Sequence, residues 1–212
     1  KSPVFYVGLC LAGAVSAGAY TAGVIDYLLE ALDNWESKRG LEGVPAHRVR
    51  IPVVGGASAG GMTGILMASA IHNQISPVSS ISSGKLLDQI PNNKFYHTWV
   101  DLLAKNMFPL LLDTADIKTK QIYSLLNSTF IDEVAKRVIL SDPNTSIHRP
   151  YIEEHLKIFT TLTNLQGFPF NIAFTSNAPG ASQYIVRNHN DYACFILNKD
   201  LSDYAHDGWI PL

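Results

Sequence analysis

Cysteine is nearly missing: Cys10 and Cys194 are the two thiols in 212 residues. Two such distant residues make neither a disulfide framework nor a metal-ligand spacing, so each reads as a small core residue in a reducing compartment. Charge is also scarce, at 16% of residues, and balanced, with 16 Lys and Arg against 18 Asp and Glu and a formal net charge of −2. Without a basic surplus to neutralise phosphates, nucleic acid is not expected as a partner, and no block of like charge marks a solvated tail. No run of eighteen apolar residues is present, so no transmembrane helix is expected. The N-terminus shows none of the basic, apolar and cleavage regions of a signal peptide. The expected location is cytoplasmic or peripheral at a membrane. Nothing calls for a metal or a cofactor. With 47% hydrophobic residues, the chain reads as a single domain over residues 1–212, large enough to bury a real core.

Small residues, by contrast, are concentrated. In Val53-Val54-Gly55-Gly56-Ala57-Ser58-Ala59-Gly60-Gly61-Met62, a short apolar strand ends in a crowded turn. A helix follows over roughly Ala59 to Ile71, with Met62, Ile65, Leu66 and Ser69 at helical spacing. Gly56-Ala57-Ser58-Ala59-Gly60 matches G-x-S-x-G, the nucleophile elbow. Pushing a serine hydroxyl out at the end of a strand requires strained dihedrals at the serine. Its neighbours two residues either side must then pack backbone on backbone, which Gly or Ala allows. The helix N-terminus aims partial positive charge where an oxyanion would form. A plain glycine-rich turn is the alternative; the strand–turn–helix setting favours Ser58 as a nucleophile.

Upstream, Val4 to Leu11 is apolar at nearly every position, as a strand covered on both faces would be. After a loop of small residues, Val24, Tyr27, Leu28, Ala31, Leu32 and Trp35 mark one helix face, with Asp26, Glu30, Asp33 and Lys38 on the other. Strand, helix, strand, helix in seventy residues predicts a parallel, helix-covered sheet. The loop Gly13-Ala14-Val15-Ser16-Ala17-Gly18 keeps two glycines of a dinucleotide fingerprint, but Val15 hinders a pyrophosphate and Asp33 lies inside a helix rather than ending a strand. A row of backbone N–H groups able to hold an oxyanion fits it better.

Leu11 to Leu28 (LAGAVSAGAYTAGVIDYL), with GGASAGG some forty residues after its glycine loop, resembles the patatin-like phospholipase family. Its first motif, G-G-G-x-R/K-G, opens a helix reading G-V-x-x-x-L, and its second is G-x-S-x-G. Gly18 falls on the last loop glycine, Gly23-Val24 on the G-V pair, and Ser58 on the nucleophile. The resemblance implies a three-layer α/β/α fold with a mainly parallel central sheet, a nucleophile elbow and a helical middle insertion. It also implies a serine lipid acyl hydrolase of phospholipase A or esterase type, with a lipid or acyl ester as substrate. Gly13, Ala14 and Val15 would supply the oxyanion-hole amides, and Gly56, Gly60 and Gly18 the motif glycines. Ala14 and Val15 replace two family glycines, which keeps the N–H donors where φ stays negative. Ala17 replaces the basic residue, which bears on substrate preference and rate. A transacylase and an inactive lipid-binding module are the other functions open to such a chain.

A serine hydroxyl needs a proton acceptor. Seven histidines are available, none in a loop that obviously returns to Ser58, and His72 lies roughly 20 Å along the elbow helix. The resemblance implies instead a Ser–Asp dyad, its aspartate from a late D-G-G or D-G-A turn. Asp207-Gly208 is the one Asp-Gly pair. Trp209 stands where the family has a small residue, and no S-x-A-x-P-like segment precedes the pair, so the acid is expected beyond Leu212, with Asp207 the alternative.

In the middle of the chain, Phe95 to Met107, Ile117 to Leu126 and Ile131 to Leu140 are amphipathic helix candidates. Such stripes are ordinarily core; the sharper alternative is a cap whose apolar side, around Trp99 and Phe108-Pro109-Leu110, meets lipid. Ile158 to Thr163, Asn164 to Gly167 and Phe168 to Phe174 read as strand, turn and strand. Two more short strands, Tyr184 to Arg187 and Tyr192 to Leu197, are expected around a break at Asn188 to Asp191.

Overall fold

A computed structural model describes residues 2–15, 17–78, 92–104, 107–117, 125–139, 146–173, 183–197 and 209–211. Strand β1 (Val4–Leu11) leads through the small-residue loop into helix α1 (Gly18–Lys38). Strand β2 (Arg48–Gly56) then turns at Ser58 into helix α2 (Ala59–Ala70). Three further helices follow, α3 (Lys94–Ala104), α4 (Phe108–Leu111) and α5 (Thr129–Ile139), and then strands β3 (Ile152–Ala173), β4 (Gln183–Ile196) and β5 (Ile210–Pro211). The five strands lie in sheet order β1-β2-β3-β4-β5. Pairing is parallel throughout except between β3 and β4. The fold is thus mixed α/β with a mainly parallel sheet.

Because β1, β2 and β3 advance in one direction across the sheet, right-handed crossovers put α1 and α2 on the same face. Ile51 and Val54 of β2 and Leu156 and Ile158 of β3 are buried there with Ile25 and Leu29 of α1 and Met67 of α2. Helix α2 packs on β1, β2 and β3 and is in turn covered by α1, α3 and α5. It is therefore buried nearly all round, and Met62, Ile65 and Ser69, three of the four positions noted at helical spacing, are its less buried line. On the opposite face, Cys10, Gly55, Phe159 and Cys194 form one cross-sheet row. No helix of a third layer packs on that row among the described residues.

Several sequence expectations are corrected by this arrangement. Strand β1 is not covered on both faces: it is the sheet edge, with Phe5 63% and Tyr6 65% exposed. Cys10 is exposed and Cys194 half-buried, because both sit in the uncovered row rather than in the core. Helix α1 is rotated from its expected face. It buries Ala22, Ile25, Asp26, Leu29 and Leu32, leaving Val24 and Tyr27 in solvent. Asp26 is drawn inward because its carboxylate accepts hydrogen bonds from Val78 N–H (3.0 Å) and Asn93 Nδ2 (2.9 Å).

The two late hairpin-like turns are not turns. Strands β3 and β4 pair from Lys157 opposite Ile196 to Ala173 opposite Gln183, with one register shift between Thr163 and Phe168. Residues 164–167 bulge out of a continuous ribbon. Asn164 Oδ1 accepts the N–H groups of Gln166 and Gly167 (3.1 Å each), and Gly167 has φ +67°. Arg187 and His189 across the ribbon bond the bulge carbonyls of Gln166 and Asn164 (2.8 Å each). In the middle of the chain, the helix expected over residues 95–107 is α3, which ends at Ala104, and the apolar piece that follows forms the short α4, with Pro109 in its first turn. Residues 118–124, central to another expected helix, lie outside the described residues, as does Asp207-Gly208.

Candidate active site

The turn between β2 and α2 holds Ser58 at φ 53° and ψ −123°, the sole positive-φ residue other than glycine among the described residues. A serine preceding a helix ordinarily takes β-region dihedrals and caps the first turn with its hydroxyl. Ser58 does neither: its dihedrals are wrong for a cap and its side chain makes no capping hydrogen bond. Ser58 is exposed at the positive end of α2. Strain of this kind persists only where surrounding structure enforces it.

The neighbouring glycines supply the enforcement. A Cβ on Gly56 would run into the Gly60 backbone and lie 2.6 Å from Gly61 N. One on Gly60 would strike the Leu11 carbonyl and come within 2.7 Å of Ala12 O. Helix α2 can thus start hard against the ends of both β2 and β1 only because these positions lack side chains. Gly61 is similarly pressed by the Thr160 hydroxyl from β3.

The close approach at Leu11 brings the following loop over the serine. A Cβ at Gly13 would lie 3.3 Å from Ser58 Cβ and 3.3 Å from Ala57 O. Ala57 N–H donates to Leu11 O (3.2 Å), tying the two turns together. Among the described residues the amides of Gly13, Ala14 and Val15 donate to no backbone carbonyl, and Val15 is 97% exposed at the loop tip. Gly18 begins α1 beneath the ring of Trp99, which a Cβ there would overlap. Trp99 is buried, so it does not present itself to lipid; Phe108, Leu110 and Leu112, around α4, are the exposed apolar side chains of that region.

No histidine or carboxylate hydrogen-bonds the Ser58 hydroxyl among the described residues. His72 lies past the far end of α2, His47 stacks near Trp35 (4.7 Å between rings), and His189 belongs to the β3–β4 bulge. Asp207 is outside the described residues. Asp33, weighed above for a nucleotide, is taken by structure. It receives Arg149 Nε (3.2 Å) and the Tyr151 hydroxyl (2.8 Å), while Arg149 also donates to the carbonyls of Ile71 and Asn73 just past α2 (2.6 and 3.0 Å). Sequence reasoning missed this buried knot, since its partners lie over a hundred residues apart in the chain. No group of three or more metal-ligating side chains gathers among the described residues, and no described helix is long and apolar enough to cross a membrane.

Comparison with known proteins adds two findings. A family model described as patatin-like phospholipase matches residues 9–203. A protein of Sinorhizobium fredii, named uncharacterized protein y4iI, is 30% identical over 205 residues. That match covers 93% of this chain, which spans 28% of the relative's length. No solved structure gives a significant match.

Proposed function

The chain belongs to the patatin-like phospholipase family, and on that premise we propose that it is a serine lipid acyl hydrolase working through an acyl-enzyme on Ser58. The family suggests lipid acyl hydrolysis and a lipid substrate. The finer assignment is carried by one observation: an exposed serine with no capping role, held at positive φ against glycines that admit no side chain. In this reading the turn is a nucleophile elbow.

The Ser58 oxygen attacks the ester carbonyl carbon while its proton passes to a carboxylate, directly or through water. The tetrahedral oxyanion is received by the amides of Gly13, Ala14 and Val15 and by the N-terminal dipole of α2. Collapse breaks the ester C–O bond, and the leaving alkoxide takes the proton, giving the free alcohol and an acyl-Ser58. Water then adds to the acyl carbon and releases the fatty acid. The carboxylate is an aspartate, as the Ser–Asp dyad requires. Asp207→Asn tests it directly, since retained turnover in that variant removes Asp207 from the role. The exposed Phe108, Leu110 and Leu112 supply apolar contact with a lipid surface.

Hydrolysis of a short-chain p-nitrophenyl ester by a protein that includes the dyad aspartate, whether Asp207 or one beyond Leu212, and its loss in a folded Ser58→Ala variant, is the expected outcome. A specific observation favours a second function. Ala14, Val15 and Ala17 depart from the family loop, which suits an inactive lipid-binding module. Vesicle binding without ester turnover, by a protein that carries the dyad aspartate, would select that alternative. Acyl transfer to an added alcohol in preference to water would select a transacylase.

A further inference from the structure

At the end of the sheet that carries Ser58, two strands run on alone. The last pair of β2 with β3 is Gly56 with Thr160; β2 then turns into α2, while β3 continues beside β4 to Ala173 opposite Gln183. At about 3.4 Å per residue of β4, this ribbon reaches roughly 30 Å past the last β2 pair. Every described residue from Phe168 to Ile172 and from Tyr184 to Asn190 is exposed. A two-stranded ribbon with neither face packed is marginal in water.

Directly opposed residues of an antiparallel pair share a face. Phe168 lies opposite Asn188, Phe170 opposite Val186 and Ile172 opposite Tyr184, so one face carries no charge. Its Phe168, Phe170, Ile172 and Val186 are 37–51% exposed. The other face sets Pro169 opposite Arg187 and Asn171 opposite Ile185. The ribbon thus has an aromatic side and a cationic side. From Ile158 to Asn190 the sequence holds no Asp, Glu or Lys, in a chain whose acids outnumber its bases 18 to 16.

Three features decide what covers the apolar face. Pro169 lacks the N–H that strand addition along β3 would use, which disfavours another chain extending the ribbon. The open surface of the four apolar side chains comes to roughly 300 Å², well short of the about 800 Å² that each partner gives a stable dimer. The stretch also has none of the acids that an anionic bilayer would repel. Arg187, next to Val186 on β4, lies within a Debye length, about 10 Å, of a surface under the apolar face.

We propose that the β3–β4 ribbon docks on an anionic lipid bilayer, seating Phe168, Phe170, Ile172 and Val186 at the acyl-chain boundary with Arg187 on the water side. The lipid partner rests on the acyl hydrolase function proposed above, though not on Ser58 being the nucleophile.

The test uses the chain carrying Ser58→Ala, so that turnover plays no part and failure here is separate from failure of the nucleophile. Co-sedimentation with vesicles of equimolar phosphatidylcholine and phosphatidylglycerol is compared with phosphatidylcholine alone. Saturable binding to the mixed vesicles is expected, weakened at least about tenfold by Phe168→Ser with Phe170→Ser. Arg187→Gln is expected to weaken it about fivefold and to leave binding to phosphatidylcholine alone unchanged. Without any ribbon substitution, hydrogen exchange in the peptide spanning Phe168 to Ile172 is expected to slow when mixed vesicles are added. Absence of vesicle binding overturns the proposal. So does full binding by a folded double variant, or unchanged exchange at residues 168–172, since either places the contact elsewhere, as on α4. Self-association in sedimentation velocity without lipid, abolished by the double variant, would assign the face to a second copy and likewise overturn it.

Discussion

Replacing Ser58 with glycine is expected to make the protein more stable while destroying its proposed chemistry. The serine backbone sits at φ 53° and ψ −123°, where a Cβ is disfavoured. Holding a residue there costs about 1–3 kcal/mol. Glycine relieves most of that strain but adds freedom to the unfolded chain, a penalty of about 0.4–1 kcal/mol. The balance is a gain of about 1 kcal/mol, or roughly 2–4 °C in Tm for a domain of this size. Ser58→Ala keeps the Cβ and hence the strain, and it removes a hydroxyl that caps nothing, so it stays within about 0.5 kcal/mol of wild type. The comparison of Ser58→Gly with Ser58→Ala in urea unfolding, at equal m-values, isolates the backbone term. If the glycine variant is less stable than the alanine variant by more than about 1 kcal/mol, the backbone at Ser58 is not strained and the reasoning fails.

Gly60→Ala drives a Cβ into the Leu11 carbonyl, so a loss of about 1–3 kcal/mol in urea unfolding is expected, with slower serine labelling as the 13–15 loop shifts. Wild-type stability and labelling in that variant would show that the two turns are not in contact. Arg149→Met leaves two carbonyls past the end of α2 without their donor, while Asp33, 42% exposed, is resolvated by water, for a loss of about 1–3 kcal/mol by the same assay. A cost under about 1 kcal/mol would mean the buried guanidinium is not holding α1, α2 and β3 together. Burial holds the native Asp26 carboxyl above its ordinary value of 3.8. Stability from this group is therefore present below that value and lost as pH rises through the native one. Relative to Asp26→Asn, which does not titrate, the wild type is expected to lose stability as pH rises above about 4; a flat or opposite trend contradicts the buried charge.

What was legible in the sequence was local. Gly56 to Gly60 announced a strand-to-helix turn because the steric demand falls on residues two apart in the chain, and Val4–Leu11 declared a strand by its run of apolar residues. What was not legible depended on distant partners. The rotation of α1 follows from Asp26 finding Val78 and Asn93, 52 and 67 residues away. Val24 and Tyr27 made as good a stripe on paper as the one the fold buries. Asn164 to Gly167 carries the chemistry of a turn whether the chain reverses or merely bulges. Only the pairing of Phe168 with Asn188, beyond Thr163 with Asn190, distinguishes the two. Likewise, the apolar character of β1 cannot reveal that it lies at an edge, because the residues that leave it uncovered are absent from its own segment.

The most direct test of Ser58 is the site of covalent modification by a fluorophosphonate probe, read by peptide mass spectrometry. The expected result is a single phosphonylated serine in the peptide containing Ser58, with no adduct in a folded Ser58→Ala variant. An adduct on a different serine, or equal labelling of the alanine variant, would contradict Ser58 as the nucleophile.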